Sequence, residues 1–169
     1  MKKGPTRSPR SRSLTFGEES LAREIYADSV DYDRVRIHYR NFVFWQGARY
    51  IITPNGQIYL GRGLRGIADF SKTSVPMQGL FIHEMAHVWQ HQHGIHVLLR
   101  GAIEQILHFL GFDQYRYRLE AGKALAAYRL EQQGEILRDY FLARQGQTAP
   151  YSAGQYLAML GGQDTTTIV

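Results

Sequence analysis

The sequence predicts an α+β domain: a small, mostly antiparallel sheet followed by a helical core in which two helices clamp a metal ion. Three observations carry that expectation. The first third alternates apolar with polar residues and holds Pro54-Asn55-Gly56 between two apolar runs, a hairpin signal. The middle contains His83-Glu84-Met85-Ala86-His87 inside a stretch of helical character. Downstream, Glu131-Gln132-Gln133-Gly134-Glu135 sets two acids four residues apart around a glycine.

Taken in order, Leu14, Leu21, Ile25 and Tyr26 recur at helical spacing behind Thr15 and Gly17, which predicts a helix within 14–29. Residues 34–39 have the period of a half-buried strand, and Phe42-Val43-Phe44-Trp45 reads as a second one. Residues 50–53 and 57–60 form a hairpin, with Asn55-Gly56 suited to a type I′ turn. Three glycines make 61–74 a loop. Ser74 and Pro76 then open a helix that ends at Gly94, the residue type that best tolerates a left-handed cap. Further helices are expected over 97–110, 120–144 and 152–160.

Composition sets the bounds. One domain is expected over 14–160, between a basic, disordered linker at 1–13 and a flexible tail at 161–169. Lys2, Lys3, Arg7, Arg10 and Arg12 precede the first acid, Glu18, and the whole chain carries +5, so the remainder is nearly neutral. This argues against a nucleic-acid partner for the folded part. No apolar run reaches the length of a membrane span, and no signal peptide precedes the domain, so synthesis in the cytoplasm is expected. With no cysteine, zinc can be held only by His, Asp or Glu.

On a helix, His83 and His87 lie one above the other and aim two ring nitrogens at one point. Glu84 follows the first of them directly, where a general base can take a proton from the water that such an ion activates. The flanking Phe81, Ile82, Met85, Ala86, Val88 and Trp89 make the helix apolar on more than one face, hence buried, and buried imidazoles need partners.

A third ligand is required, and His91, His93 and Glu131 are the residues to weigh for it. His91 lies about 12 Å further along a straight helix than His83 and cannot share one ion with it. His93 completes the metzincin spacing, with Gln90 where that pattern has the glycine of its sharp turn. Glu131 is the alternative, with Gly134 allowing its helix to press against the motif helix and Glu135 one turn on to orient a ligating imidazole. Glu135 with Asp139 repeats that pattern one turn later, as a reserve. Tyr117, Tyr128, Tyr140 and His96 are candidates to stabilise an oxyanion. A non-catalytic binding or adaptor domain with a structural metal is the reading from a different class.

His83-Glu84-Met85-Ala86-His87-Val88-Trp89-Gln90 with Glu131-Gln132-Gln133-Gly134-Glu135-Ile136 resembles the gluzincin-type metallopeptidase domains attached to VgrG and Rhs proteins of bacterial type VI secretion. The resemblance covers most of the chain from Leu14. It implies a zincin-like fold holding Zn²⁺ on His83, His87 and Glu131, with Glu84 as general base. It also implies a peptide or protein substrate, a toxin role with a cognate immunity protein, and delivery by a VgrG or Rhs partner to a target cell.

Overall fold

A computed structural model describes residues 10–95 and 115–161. It is an α+β structure with four α-helices and one four-stranded mixed sheet among the described residues. The elements are β1 (Ser11–Ser13), α1 (Phe16–Tyr26), β2 (Arg36–His38), β3 (Ile51–Ile52), β4 (Ile58–Leu60), α2 (Val75–Gln92), α3 (Leu130–Arg144) and α4 (Ala153–Met159). The helix expected over 97–110, and the tail beyond Gly161, lie outside the described residues.

The sheet order is β1-β2-β4-β3. β1 pairs antiparallel with β2, and β3 antiparallel with β4, but β2 and β4 run parallel, with Ile37 opposite Ile58. The sheet is therefore mixed: two of its three pairings are antiparallel, in line with a mostly antiparallel expectation, and the parallel β2–β4 pairing is the departure from it. After β2 the chain passes the place β4 will occupy, forms β3 at the edge, and turns back so that β4 inserts between them. The turn is longer than a two-residue hairpin: Thr53–Gln57 separate the strands and only Gly56 has positive φ, at 71°, whereas a type I′ turn needs two such residues. Phe42–Trp45 is not a strand; it belongs to an irregular loop.

The basic N-terminal stretch also contributes more than a linker. Ser11–Ser13 form β1, and Arg12 donates from both terminal nitrogens to Glu18, at 2.6 and 2.7 Å. Glu18 is completely buried and accepts two further bonds, from the backbone N–H of Thr15 and of Phe70. Thr15 in turn accepts from Glu18 N, closing a capping box that starts α1.

Leu21, Ala22, Ile25 and Tyr26 of α1 pack with Ile37, Ile58 and Leu60 of the sheet into the core shared by α2 and α3. The Tyr26 hydroxyl donates to Ile82 O at 2.6 Å and ties α1 to α2. Every residue of α2 from Phe81 to Gln90 is buried, as the apolar flanks of the motif require. Ser74 occupies the N-cap of α2 without a side-chain capping bond, and Gly94 takes φ 78° just past its end. α3 begins at Leu130, ten positions later than the sequence pattern suggests. Gly122 at φ 77° and a short 3₁₀ turn at Leu125–Ala127 interrupt the helical run.

Candidate metal centre

α2 and α3 lie antiparallel. Gly79 meets Leu142 and Arg138, His83 meets Gly134 and Glu131, and Gln90 reaches Leu130 and Gln133. Gly134 is needed for this approach, because a Cβ there would stand 2.8 Å from His83 Cε1 and 2.9 Å from Nδ1. The close contact brings Glu131 between the two motif imidazoles.

His83 Nε2 lies 3.2 Å from His87 Nε2 and 3.2 Å from Glu131 Oε2, and His87 Nε2 lies 3.5 Å from Glu131 Oε1. Bonds of 2.0–2.1 Å to a tetrahedral zinc would hold neighbouring ligand atoms about 3.3 Å apart. The two ring nitrogens have that spacing, and the carboxylate turns Oε2 to His83 and Oε1 to His87, which brings a third ligand group against the pair. His83 and His87 are buried, while Glu131 keeps 22% of its side chain exposed, so the cluster faces solvent on that side. His83, His87 and Glu131 can together hold a metal ion.

The rings are oriented from behind. His87 Nδ1 lies 2.9 Å from Gln90 Oε1. Gln90 Nε2 donates to Leu130 O and to Gln133 Oε1, and Gln133 Nε2 donates to Tyr128 O. Two backbone carbonyls thus fix which way both amides point, leaving Gln90 Oε1 to accept. The proton of neutral His87 therefore sits on Nδ1, and its Nε2 lone pair faces the cluster. His83 Nδ1 lies 3.1 Å from Glu135 Oε1, an ion-pair contact outside hydrogen-bond geometry. Arg138 anchors Glu135 and also holds Asp139, which accepts from Tyr117.

The electrostatics call for positive charge. Burial lowers the pKa of His83, but Glu131 and Glu135 raise it to about 10. His87 is raised as well, where Glu131 outweighs burial. Burial would raise Glu131, yet the two imidazoles hold it well below the usual carboxylate range.

Glu84 is buried beside this cluster, and Thr53 Oγ1 donates to its Oε2 at 2.7 Å. Sequence reasoning missed Thr53, because nothing in its local pattern marks it. It also weighed Gln90 only at the place of the metzincin glycine, and so missed its hydrogen bond to His87. His93 is not brought to the cluster: α2 continues straight through Gln90, and His93 is exposed with its Nδ1 at 2.8 Å from Trp89 O. The metzincin-like placement is thereby corrected. His91 is exposed too. Glu135 lies behind His83 and outside the group of three. Among the oxyanion candidates, Tyr117 is engaged with Asp139 and Tyr156, and Tyr128 with Arg118 O and Glu120 N. Tyr140 is buried beneath Arg144, and His96 lies outside the described residues.

The effector domain of Pseudomonas aeruginosa VgrG2b superposes on this chain with a TM-score of 0.80 and 50% sequence identity, covering 94% of this chain and 86% of that one. The chain belongs to the VgrG2b effector-domain family. The type VI secretion system spike protein VgrG2b of P. aeruginosa is 57% identical over 133 residues, which are 79% of this chain and 13% of the spike protein. This VgrG2b-type domain thus corresponds to a small part of that protein's length. No protein-family model matches the chain.

Proposed function

We propose that this chain is a zinc-dependent metallopeptidase domain of type VI secretion, hydrolysing peptide or amide bonds. The observation that carries the reading is the pair of His83 Nε2 and His87 Nε2 at tetrahedral spacing with the two Glu131 carboxylate oxygens turned one to each ring, and Glu84 next in sequence to the first ligand. Zinc, when bound, supplies a Lewis acid that acidifies water and polarises a carbonyl. His83, His87 and Glu131 would hold it, with Glu135 and Gln90 fixing the two rings from behind.

Glu84 acts as general base. The Thr53 hydroxyl occupies Oε2 and leaves Oε1 to accept the proton of the attacking water and pass it to the leaving amine. Thr53 sits at the end of β3, so the strand that borders the cleft also sets the rotamer of the base.

The alternative of a non-catalytic domain with a structural metal fits less well. Structural zinc sites are closed by a fourth protein ligand, whereas among the described residues the group here has three members, one of them partly exposed. Delivery through a VgrG or Rhs partner, a peptide or protein substrate in the target cell and a cognate immunity protein follow from the same reading.

Glu84→Gln tests it. The amide keeps the Thr53 contact and the packing but cannot accept the proton. Hydrolysis of a denatured protein substrate should fall at least about 100-fold, with zinc content and circular dichroism unchanged. Wild-type activity in Glu84→Gln would end the peptidase reading.

A further inference from the structure

The loop 41–50 between β2 and β3 displays four exposed aromatic side chains: Phe42, Phe44, Trp45 and Tyr50. Phe44 is 91% exposed, Trp45 70% and Tyr50 69%, so three rings stand almost clear of the surface. Phe44 and Trp45 meet edge to face at 4.5 Å and form a single apolar tip.

This display is built rather than loose. Gln46 is buried at the base of the loop, where its Oε1 accepts from Phe42 N and its Nε2 donates to Tyr50 O and Tyr59 O. Asn41 Nδ2 donates to Gln46 O. Gly61 N and Gly63 N donate to Tyr50 O and Ala48 O. A Cβ on Gly61 would lie 2.5–2.7 Å from the carbonyl oxygens of Gly47, Ala48 and Tyr50, so only glycine permits this bracing. A chain that fixes its backbone this closely while leaving large rings in water holds them in a fixed place outside its own core.

The charge around the tip is one-sided. Between Asp33 and Asp69 the sequence has no acid and six arginines. Four of these lie in or beside the loop and its bracing segment: Arg40, Arg49, Arg62 and the half-buried Arg65, whose guanidinium donates to Asn41 Oδ1. None of the four is in an ion pair among the described residues. Aromatic rings at a protruding tip, with a collar of guanidinium groups behind them, match the layering of an anionic bilayer surface. Rings sit at the headgroup boundary and guanidinium groups at the phosphates.

We propose that the loop 41–50 docks this domain on the surface of anionic phospholipid bilayers, with Phe44 and Trp45 entering the interface and the arginine collar meeting the lipid phosphates. Charge of one sign, six arginines and no acid between Asp33 and Asp69, favours an anionic bilayer over a folded protein partner. The loop runs directly into β3 and Thr53, the partner of Glu84, so docking would bring the candidate metal centre to the membrane surface. The inference stands apart from the zinc reading, since no residue of the cluster takes part.

The test is sedimentation of the full chain with phosphatidylcholine vesicles, with and without phosphatidylglycerol. Binding should require phosphatidylglycerol and weaken with salt, and Trp45 emission should shift to the blue while buried Trp89 serves as a fixed reference. Phe44→Ser with Trp45→Ser should weaken binding by more than about tenfold. Arg49→Gln and Arg62→Gln should each weaken it about fivefold. Lys2→Gln with Lys3→Gln and Arg7→Gln should leave the Trp45 shift intact. Absence of binding to either vesicle, binding unaffected by the Phe44 and Trp45 changes, or binding abolished by the three N-terminal changes would each overturn the proposal. A soluble acidic protein that alone shifts Trp45 emission would do the same.

Discussion

Glu18 and Glu131 are both carboxylates drawn inward beside positive partners, but their partners differ in kind. Glu18 takes two bonds from Arg12 and one each from the N–H of Thr15 and Phe70. None of these donors loses its proton near neutral pH, and the Arg12 pKa is raised, since Glu18 outweighs the effect of burial. Glu131 instead faces two imidazoles whose far nitrogens are already turned to Glu135 and Gln90. The positive charge beside it is exchangeable, as protons or as a metal ion. A buried carboxylate closed by permanent donors is architecture, and one closed by exchangeable charge is poised for chemistry.

The largest effect that separates the two regions should come from Arg12→Ala. It leaves Glu18 buried without its cation and should cost about 3–5 kcal/mol in chemical denaturation, with zinc content of the folded protein unchanged. A loss below about 1 kcal/mol would show that the backbone donors alone satisfy Glu18.

The second difference is pH. In metal-free protein, His83 has its pKa raised from 6.5 to about 10. Its contribution to stability is fully present below 6.5 and is lost as pH rises through about 10. Glu131 is depressed from 4.5, so its contribution is present above 4.5 and lost as pH falls below that value. Thermal unfolding of the chelated protein should show highest stability between these limits and a decline on the alkaline side. Zinc should flatten that decline, because bound metal replaces the proton. Arg12, its pKa raised beside Glu18, keeps its proton over this alkaline range and should contribute no slope, so an equal decline with and without zinc would place its origin elsewhere.

A smaller effect is expected behind the ligands. Gln90→Leu removes the acceptor for His87 Nδ1 and breaks the chain of amides to Tyr128 O. Zinc affinity should fall about 10–100-fold with helix content retained, as is usual when a ligand loses its orienting partner. Unchanged affinity, measured by competition with a chelator, would reduce Gln90 to a packing residue.

What was legible in the sequence follows the same division. The pairing of His83, His87 and Glu131 could be read because helical periodicity places i and i+4 together and Gly134 marks a close approach between helices. The α+β class could be read from strand-like alternation followed by helical spacing, and the β3–β4 pairing from Pro54-Asn55-Gly56 between two apolar runs. Contacts made by single residues across long separations were hidden. Thr53 reaches Glu84 from a loop end, and Arg12 looked like one more charge in a basic tail until Glu18 closed on it. The parallel β2–β4 pair was hidden too, because two- and three-residue strands carry too little pattern to reveal that the later one inserts beside the earlier. Phe42–Trp45 has strand-forming side chains, but the buried amide of Gln46 captures Phe42 N, and Gln46 N turns back to Val43 O, so the segment closes into a turn.

The most direct test of the metal centre is zinc content by elemental analysis of the purified wild-type chain beside Glu131→Ala and His93→Ala, with circular dichroism to verify folding. About one zinc per chain is expected in wild type and in His93→Ala, with strong loss in Glu131→Ala, since catalytic sites of this kind use three protein ligands. No metal in zinc-replete wild type, or full zinc in Glu131→Ala with loss in His93→Ala, would contradict a centre built from His83, His87 and Glu131.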